Sequence, residues 1–297
     1  MGIFQTLKYI NNHALAKRHK LKAYARFLKW QVSQTIKKRP VILPFIGSSR
    51  LWVQKGMTGA TGNIYTGLHD FEDMSFLLHF LRPEDLFIDV GANIGSYTIL
   101  ASGVTGASSI SIEPVLQTFE ILQKNIIINN LLEKVTPLNI GVGSKKGVLS
   151  FTEKFDTVNH VVLNEESEQE VSLVKVPVEK LDGLLKGAEQ PLLLKIDVEG
   201  FELEVIDGAR ILLGGTDLKA IIIELNGSGV RYGYDEQKIH AQLLGFGFRS
   251  YIYNPFEREL EDATGFGKFN TIYLRDLDFV KRRLKTAKSF TAFSEKI

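Results

Sequence analysis

Between residues 86 and 244, short apolar runs alternate with segments whose apolar residues recur every three or four positions. The runs predict strands at Leu86–Val90, Ser109–Glu113, Val135–Ile140, Leu192–Asp197 and Ala220–Leu225. The intervening periodicity predicts helices over Ser96–Gly103, Val115–Asn130, Glu202–Leu213 and Asp235–Leu244. Such alternation means an α/β fold with a doubly wound, mostly parallel sheet covered on both faces. Two closing strands follow near Phe248–Tyr253 and Asn270–Leu274, and a hairpin-like segment over 145–178, with an acidic loop at Asn164–Glu170, interrupts the rhythm. Upstream, Glu72–Leu81 has a helical apolar face closed by Arg82-Pro83, and the Gly-rich stretch 41–69 reads as short strands and turns. From His13 to Lys38, Leu21, Tyr24, Leu28, Val32 and Ile36 recur at helical spacing, so an amphipathic helix is expected there, ended by Pro40. The chain thus divides into a helical arm (1–40), a cap and substrate-side segment (41–84), the main domain (85–280) and a basic tail (281–297).

Charge sharpens this division. Residues 1–69 contain twelve Lys/Arg and no acidic residue, whereas the remainder carries a net −10, although the whole chain is only +2. A basic amphipathic arm suits an anionic membrane face or a nucleic acid, and equally a helix that packs on the body and leaves its charges in water. The absence of cysteine excludes disulfides, thiolate metal sites and cysteine nucleophiles. No apolar run approaches the ~18 residues of a membrane span, and the first 20 residues lack a signal-peptide pattern. The expected location is cytoplasmic, with the arm as a peripheral contact to the inner membrane face.

The candidate chemistry begins where the first core strand ends. Phe87-Ile88-Asp89-Val90-Gly91-Ala92-Asn93-Ile94-Gly95-Ser96 runs from a buried strand through a glycine turn into a helix, the place where open α/β sheets bind ligands. The Gly-x-Gly-x-x-Gly cradle of a dinucleotide pyrophosphate is missing, and Asp89 would repel a phosphate. Glu113, 22 residues after Gly91 and followed by Pro114, stands where an acid pairs with ribose hydroxyls. A ribose and a cationic group without phosphate describe S-adenosylmethionine. A plainer alternative makes Asp89 a helix cap and Glu113 a solvated strand end.

These residues, together with Ile112-Glu113-Pro114, Asn139 before Gly141, the run Leu194-Lys195-Ile196-Asp197-Val198-Glu199-Gly200, Ile223-Glu224 and Asn270-Thr271-Ile272, resemble the FkbM family of class I S-adenosylmethionine-dependent methyltransferases over roughly residues 85–275. The resemblance implies a Rossmann-like sheet of seven strands and O-methylation, often of sugar or polyketide hydroxyls. It implies a cofactor set of Asp89, Gly91, Asn93, Gly95, Ser96, Glu113, Pro114, Asn139 and Asp197.

Catalytic candidates follow from the need to free a hydroxyl of its proton. Lys195, Asp197 and Glu199 alternate along a strand exit and share a side by period-two geometry, either as a structural ion pair or as reacting groups. Asp197, Glu199 or His160 could take the proton, and Glu224 ends the neighbouring strand. Asp197, Glu224 and Asn226 could hold Mg²⁺, but Glu-x-Asn differs from the adjacent acid–amide pair of catechol-type methyltransferases, which speaks against a metal. Asn63, Tyr65 and His69 are the candidate acceptor contacts, of a character that suits a small molecule, sugar or glycan. Three readings compete: an NAD(P) oxidoreductase, short of its glycines; an RNA 2′-hydroxyl methyltransferase; and a non-catalytic binding module. Other nucleic-acid methylation lacks its amide motif or its cysteine.

Overall fold

The computed structural model describes residues 2–37, 39–54, 56–152, 159–162, 172–187 and 189–297. Eight strands form its central sheet: β1 (Leu86–Val90), β2 (Ser108–Ile112), β3 (Val135–Leu138), β4 (Leu193–Ile196), β5 (Ala220–Glu224), β6 (Arg249–Asn254), β7 (Glu259–Asp262) and β8 (Asn270–Leu274). Their spatial order is β7-β6-β8-β5-β4-β1-β2-β3. The five strands from β3 to β5 run parallel, and β8, β6 and β7 add antiparallel neighbours. Every residue of β1 and β4 is buried, which is why these strands read as apolar runs, each broken by one charged residue, Asp89 and Lys195. The strand beyond the seven expected is β7, a mostly exposed edge whose charged residues give no apolar period. Because β1 pairs with β2 on one side and β4 on the other, the winding reverses there, and the crevice outside these strand ends is open to a ligand.

The arm departs from expectation in an instructive way. It holds two helices, α1 (Ile3–Asn12) and α2 (Lys20–Lys37), joined by a 3-10 turn at Ala16–His19. The face of α2 that seats on the body is Ala23, Phe27, Trp30 and Gln34, all buried. Of the stripe read from the sequence, Tyr24 is half-buried against the core, but Leu21, Leu28 and Val32 point outward and are 87%, 60% and 56% exposed, while the Ile36 side chain lies outside the described residues. Two aromatic rings bury more apolar area than the aliphatic stripe can, and Phe27 meets Tyr65 edge-on at 5.2 Å.

Residues 41–69 contain the expected short strands, which pair as a hairpin (Val41–Pro44 with Arg50–Val53), but also an unexpected helix, α3 (Thr58–Thr66). Glycine weakens a helix, so the composition concealed it. Gly62 is required there: a Cβ would lie 2.1 Å from the His69 ring. Next come α4 (Phe71–Phe80), α5 (Ser96–Ile99) and α6 (Leu116–Ile128). The predicted helix over 202–213 breaks into Glu202–Asp207 and Arg210–Gly214, because the backbone at Gly208 closes on the Gly143 carbonyl. The interrupting segment is a small sheet of Gly141–Val142, Gly147–Thr152, Val161–Val162 and Leu173–Glu179. The Asn164–Glu170 loop lies outside the described residues.

The tail returns to the arm. After a helix at Leu277–Lys285, a short hairpin (Thr291–Ala292 with Glu295–Lys296) lies against α2. Arg18 and His19 bond Glu295 at 3.0 and 2.8 Å, and the Arg26 guanidinium stacks on Phe293 at 4.1 Å. Ile10, Leu15, Phe27 and Trp30 share one apolar core with Phe290, Phe293 and Ile297.

This seating has a direct test by urea denaturation. Trp30→Ala should cost about 3–5 kcal/mol, as buried aromatics do. Leu28→Ala, although it also truncates an apolar residue of the same helix, should stay within about 0.5 kcal/mol of the parent.

Candidate functional site

The site is built where strand ends meet turns. Gly91 follows β1 with φ +77°, and a Cβ there would stand 1.8 Å from the Asp197 carbonyl oxygen. Only glycine lets the ends of β1 and β4 come this close. Glu113, after β2, is buried with each oxygen accepting one backbone bond: Oε2 accepts the Asn93 N–H and Oε1 the Val115 N–H, both at 3.0 Å. It thereby stitches two adjacent turns together. Burial pushes its carboxyl up to about 7 despite both bonds. The Asn139 side-chain amide donates to the Glu113 and Pro114 carbonyls, both at 2.9 Å.

Beyond β4 and β5 the carboxylates crowd. Lys195, 3% exposed, lies with Nζ 2.9 Å from Asp197 Oδ2 and 4.8 Å from the centre of the Tyr97 ring. Burial works against its charge, but Asp197 and Asp89 outweigh burial and hold it protonated. Oxygens of Asp197, Glu199 and Glu224 all lie within 4.8 Å of one another. Burial first, and the neighbouring Asp197 next, push Glu199 up to about 8 and Glu224 up to about 9. Glu224 Oε2 is buried with no hydrogen-bond partner. Three acids this close cannot all ionise in isolation; they hold protons between them or wait for a cation.

A cavity of about 410 Å³ opens over these groups, within the range of small-molecule sites. Gly91, Asn93, Ser96, Glu113 and Pro114 line it, as do Asp197, Glu199, Glu224 and Asn226. His69 also reaches the wall, its Nδ1 2.8 Å from the Tyr9 hydroxyl, which lies 2.9 Å from the His69 carbonyl. An arm residue therefore fixes a cavity residue.

Other candidates sit elsewhere. Asp89 is fully buried below the wall, accepting from Thr98 Oγ1 at 2.7 Å. Gly95 gives α6 room, since a Cβ would meet Leu122 at 2.5 Å. Asn63 is buried, donating to Ser96 Oγ and accepting from the His69 N–H, and Tyr65 is buried against Phe27. Asn159 and Val161 line the cavity whereas His160, between them in an extended stretch, does not, as alternation along an extended chain requires. Asn226 lines the cavity with its Oδ1 taken by the Ser228 N–H.

The sequence reading missed Asp70, Tyr97, Phe151 and Phe201 as wall residues. Asp70 accepts from the Tyr97 hydroxyl at 3.0 Å and stands at the start of α4. Its being the first acid in the chain was a usable signal. Asn270, quoted only within a motif, also lines the cavity and pairs with Glu224 across β5 and β8.

The model of the methyltransferase FkbM domain matches residues 89–250, more than half of the chain. The chain belongs to the FkbM methyltransferase family. It is similar to the hexuronic acid methyltransferase AglP of Haloferax volcanii, 31% identical over 154 residues that cover 50% of this chain and 59% of that protein. It is also similar to methyltransferase sdnD of Sordaria araneosa, 27% identical over 169 residues, covering 46% and 65%. The chain thus spans less than two thirds of these curated relatives. A solved FkbM methyltransferase from Methylobacillus flagellatus KT aligns with 72% of this chain and 52% of its own at 17% identity, with a TM-score of 0.46. In this FkbM chain the matched stretch runs from Asp89 in β1 to Ser250 in β6, and so contains Glu113, Lys195, Asp197, Glu199 and Glu224.

The raised carboxyls make stability depend on pH in a defined direction. Glu113, Glu199 and Glu224 bind protons more tightly folded than unfolded, where a glutamate titrates near about 4.3. Their contribution is therefore intact below that value and is lost as pH rises through about 7, 8 and 9. The melting temperature of the ligand-free protein should fall between pH 5 and pH 9, an interval set by those values. Glu224→Gln, which cannot ionise, should flatten that fall; an unchanged slope would mean that Glu224 is not strained by its charge.

Proposed function

We propose that the protein transfers a methyl group from S-adenosylmethionine to a hydroxyl of a small molecule, sugar or glycan. The observation that carries this reading is the pairing, across one cavity, of a ribose-type acid (Glu113) with a carboxyl cluster (Asp197, Glu199, Glu224) in a chain of the FkbM family. The acid surplus also fits the cofactor: S-adenosylmethionine carries a sulfonium and an ammonium, and a cation would relieve carboxyls that burial now holds protonated.

Gly91, Asn93, Ser96, Glu113 and Pro114 would hold the adenosyl group, and the cofactor supplies an electrophilic methyl when bound. The chain's own part is to orient the acceptor and take its proton. Asp197, with one oxygen held by Lys195, is the proton acceptor in this reading. Glu199 and Glu224, protonated at neutral pH, donate hydrogen bonds to the acceptor. Rings at Phe151, Phe201 and Phe269, with amides at Asn159 and Asn270, suit the CH faces and hydroxyls of a sugar. That a relative is named for a hexuronic acid supports a sugar acceptor.

Labelled S-adenosylmethionine offered with hexuronic acids, neutral sugars and RNA tests the acceptor. Label on a sugar hydroxyl supports the reading, and label on RNA alone replaces it with 2′-hydroxyl methylation. Glu113→Gln should weaken cofactor binding by about 1–3 kcal/mol in a calorimetric titration. Asp197→Asn should cut turnover by about 10²-fold or more with cofactor affinity little changed. Near-normal turnover would return Asp197 to a structural ion pair. Turnover abolished by EDTA and restored by Mg²⁺ would assign the three clustered carboxyls to a cation instead.

A further inference from the structure

We propose that the outward face of α2 docks the protein on an anionic lipid bilayer. The inference stands apart from the reaction and rests on how the arm is seated. Once Ala23, Phe27, Trp30 and Gln34 have turned inward, the opposite side of the helix presents Leu21, Ala25, Leu28 and Val32, all exposed and spaced four, three and four residues apart. Scattered surface leucines need no explanation, but a helical stripe of them does. Lys22 and Lys29 share the exposed side, Lys20 begins the helix, and α1 adds Phe4, 89% exposed.

The charge on this face is uncompensated. No acidic residue occurs in the first 69 positions, so compensation could come only from the body. There, Glu295 takes Arg18 and His19, Glu72 lies within electrostatic reach of Lys17, and Lys22 bonds the Phe293 carbonyl. Lys8, Lys20 and Lys29 form no ion pair among the described residues. The surface therefore combines an aliphatic stripe with lysines whose long stems lift their ammonium groups to its edges. A leaflet with anionic headgroups satisfies both parts at once: acyl chains take the stripe and headgroups the lysines. A second copy would bring like charge against like charge. RNA would leave the leucines against a hydrated phosphate backbone. An 18-residue helix is about 27 Å long and would lie in the membrane plane.

Flotation of the full chain with vesicles tests this. Binding to phosphatidylcholine–phosphatidylserine vesicles is expected, with little binding to phosphatidylcholine alone and loss in high salt. Leu28→Glu/Val32→Glu should reduce binding at least about tenfold, and Lys20→Glu/Lys29→Glu by a similar factor, because both insertion and headgroup attraction are needed. All four side chains are exposed, so melting temperatures should stay at the parent value and a loss of binding cannot be ascribed to unfolding. Equal binding to neutral vesicles, unaltered binding of the Leu28/Val32 variant, or tighter binding to RNA at the same salt would overturn the proposal. So would a dimer in light scattering that the Leu28/Val32 variant abolishes.

Discussion

One buried ammonium group underlies the arrangement of the cavity. Lys195 is almost inaccessible to water, yet it lies in the parallel register that sets β4 beside β1, directly opposite Asp89. Its Nζ meets Asp197 on one side and the face of Tyr97 on another. Removing a charge of this kind is costly because its partners would remain buried and unpaired. Asp89 then has meaning without touching the cavity: it is part of the negative surround that keeps Lys195 protonated, with Oδ2 bonded by Thr98 and Oδ1 buried without a hydrogen-bond partner. The cavity lining thus carries the Lys195 ammonium among several carboxyls, an imbalance tolerable only where protons or a positively charged ligand make up the difference.

Much of this was legible in the sequence, for reasons specific to each element. The five parallel strands could be read because burial makes each a short, mainly apolar run, broken only by residues such as Asp89, Lys195 and Glu224 that bear on the cavity. The run from Lys195 to Gly200 stood out because charges at the end of a buried strand need a purpose, and the observed Lys195–Asp197 pair answers to it. Other features were hidden by physics that a linear pattern does not carry. The α3 helix was masked by its glycines, one of which, Gly62, leaves room for the His69 ring. The seating face of α2 was misread because large aromatic side chains outweigh a more regular aliphatic period. His160 faces away since an extended chain alternates, and its register depends on where that stretch pairs with residues 150 and 151. Asp89 and Asn139 sit one layer behind the wall, where a sequence motif and a ligand contact look alike.

The arm is the clearest case of charge and packing giving different information. Its basic composition describes the outward face, where Lys20 and Lys29 are exposed. Its aromatic residues make it part of the main core, and Tyr9 and Gln31 bond His69 and Tyr65 from it. Both descriptions hold for the same helix because they concern opposite faces.

The clasp between residues 18–19 and Glu295 spans nearly the full chain, with separations of 277 and 276 positions. Contacts this remote close late, since the intervening chain must be ordered before the ends can meet. During synthesis from the N-terminus, Phe27 and Trp30 emerge long before Phe290, Phe293 and Ile297, the residues that complete their core. Through that interval the inward face of α2 lacks the part of its cover that the tail supplies while Leu21, Leu28 and Val32 stay exposed, a condition that favours association with other chains. The order of translation therefore leaves the growing chain most exposed at its basic end, where mutual repulsion between lysines is the available protection against clustering.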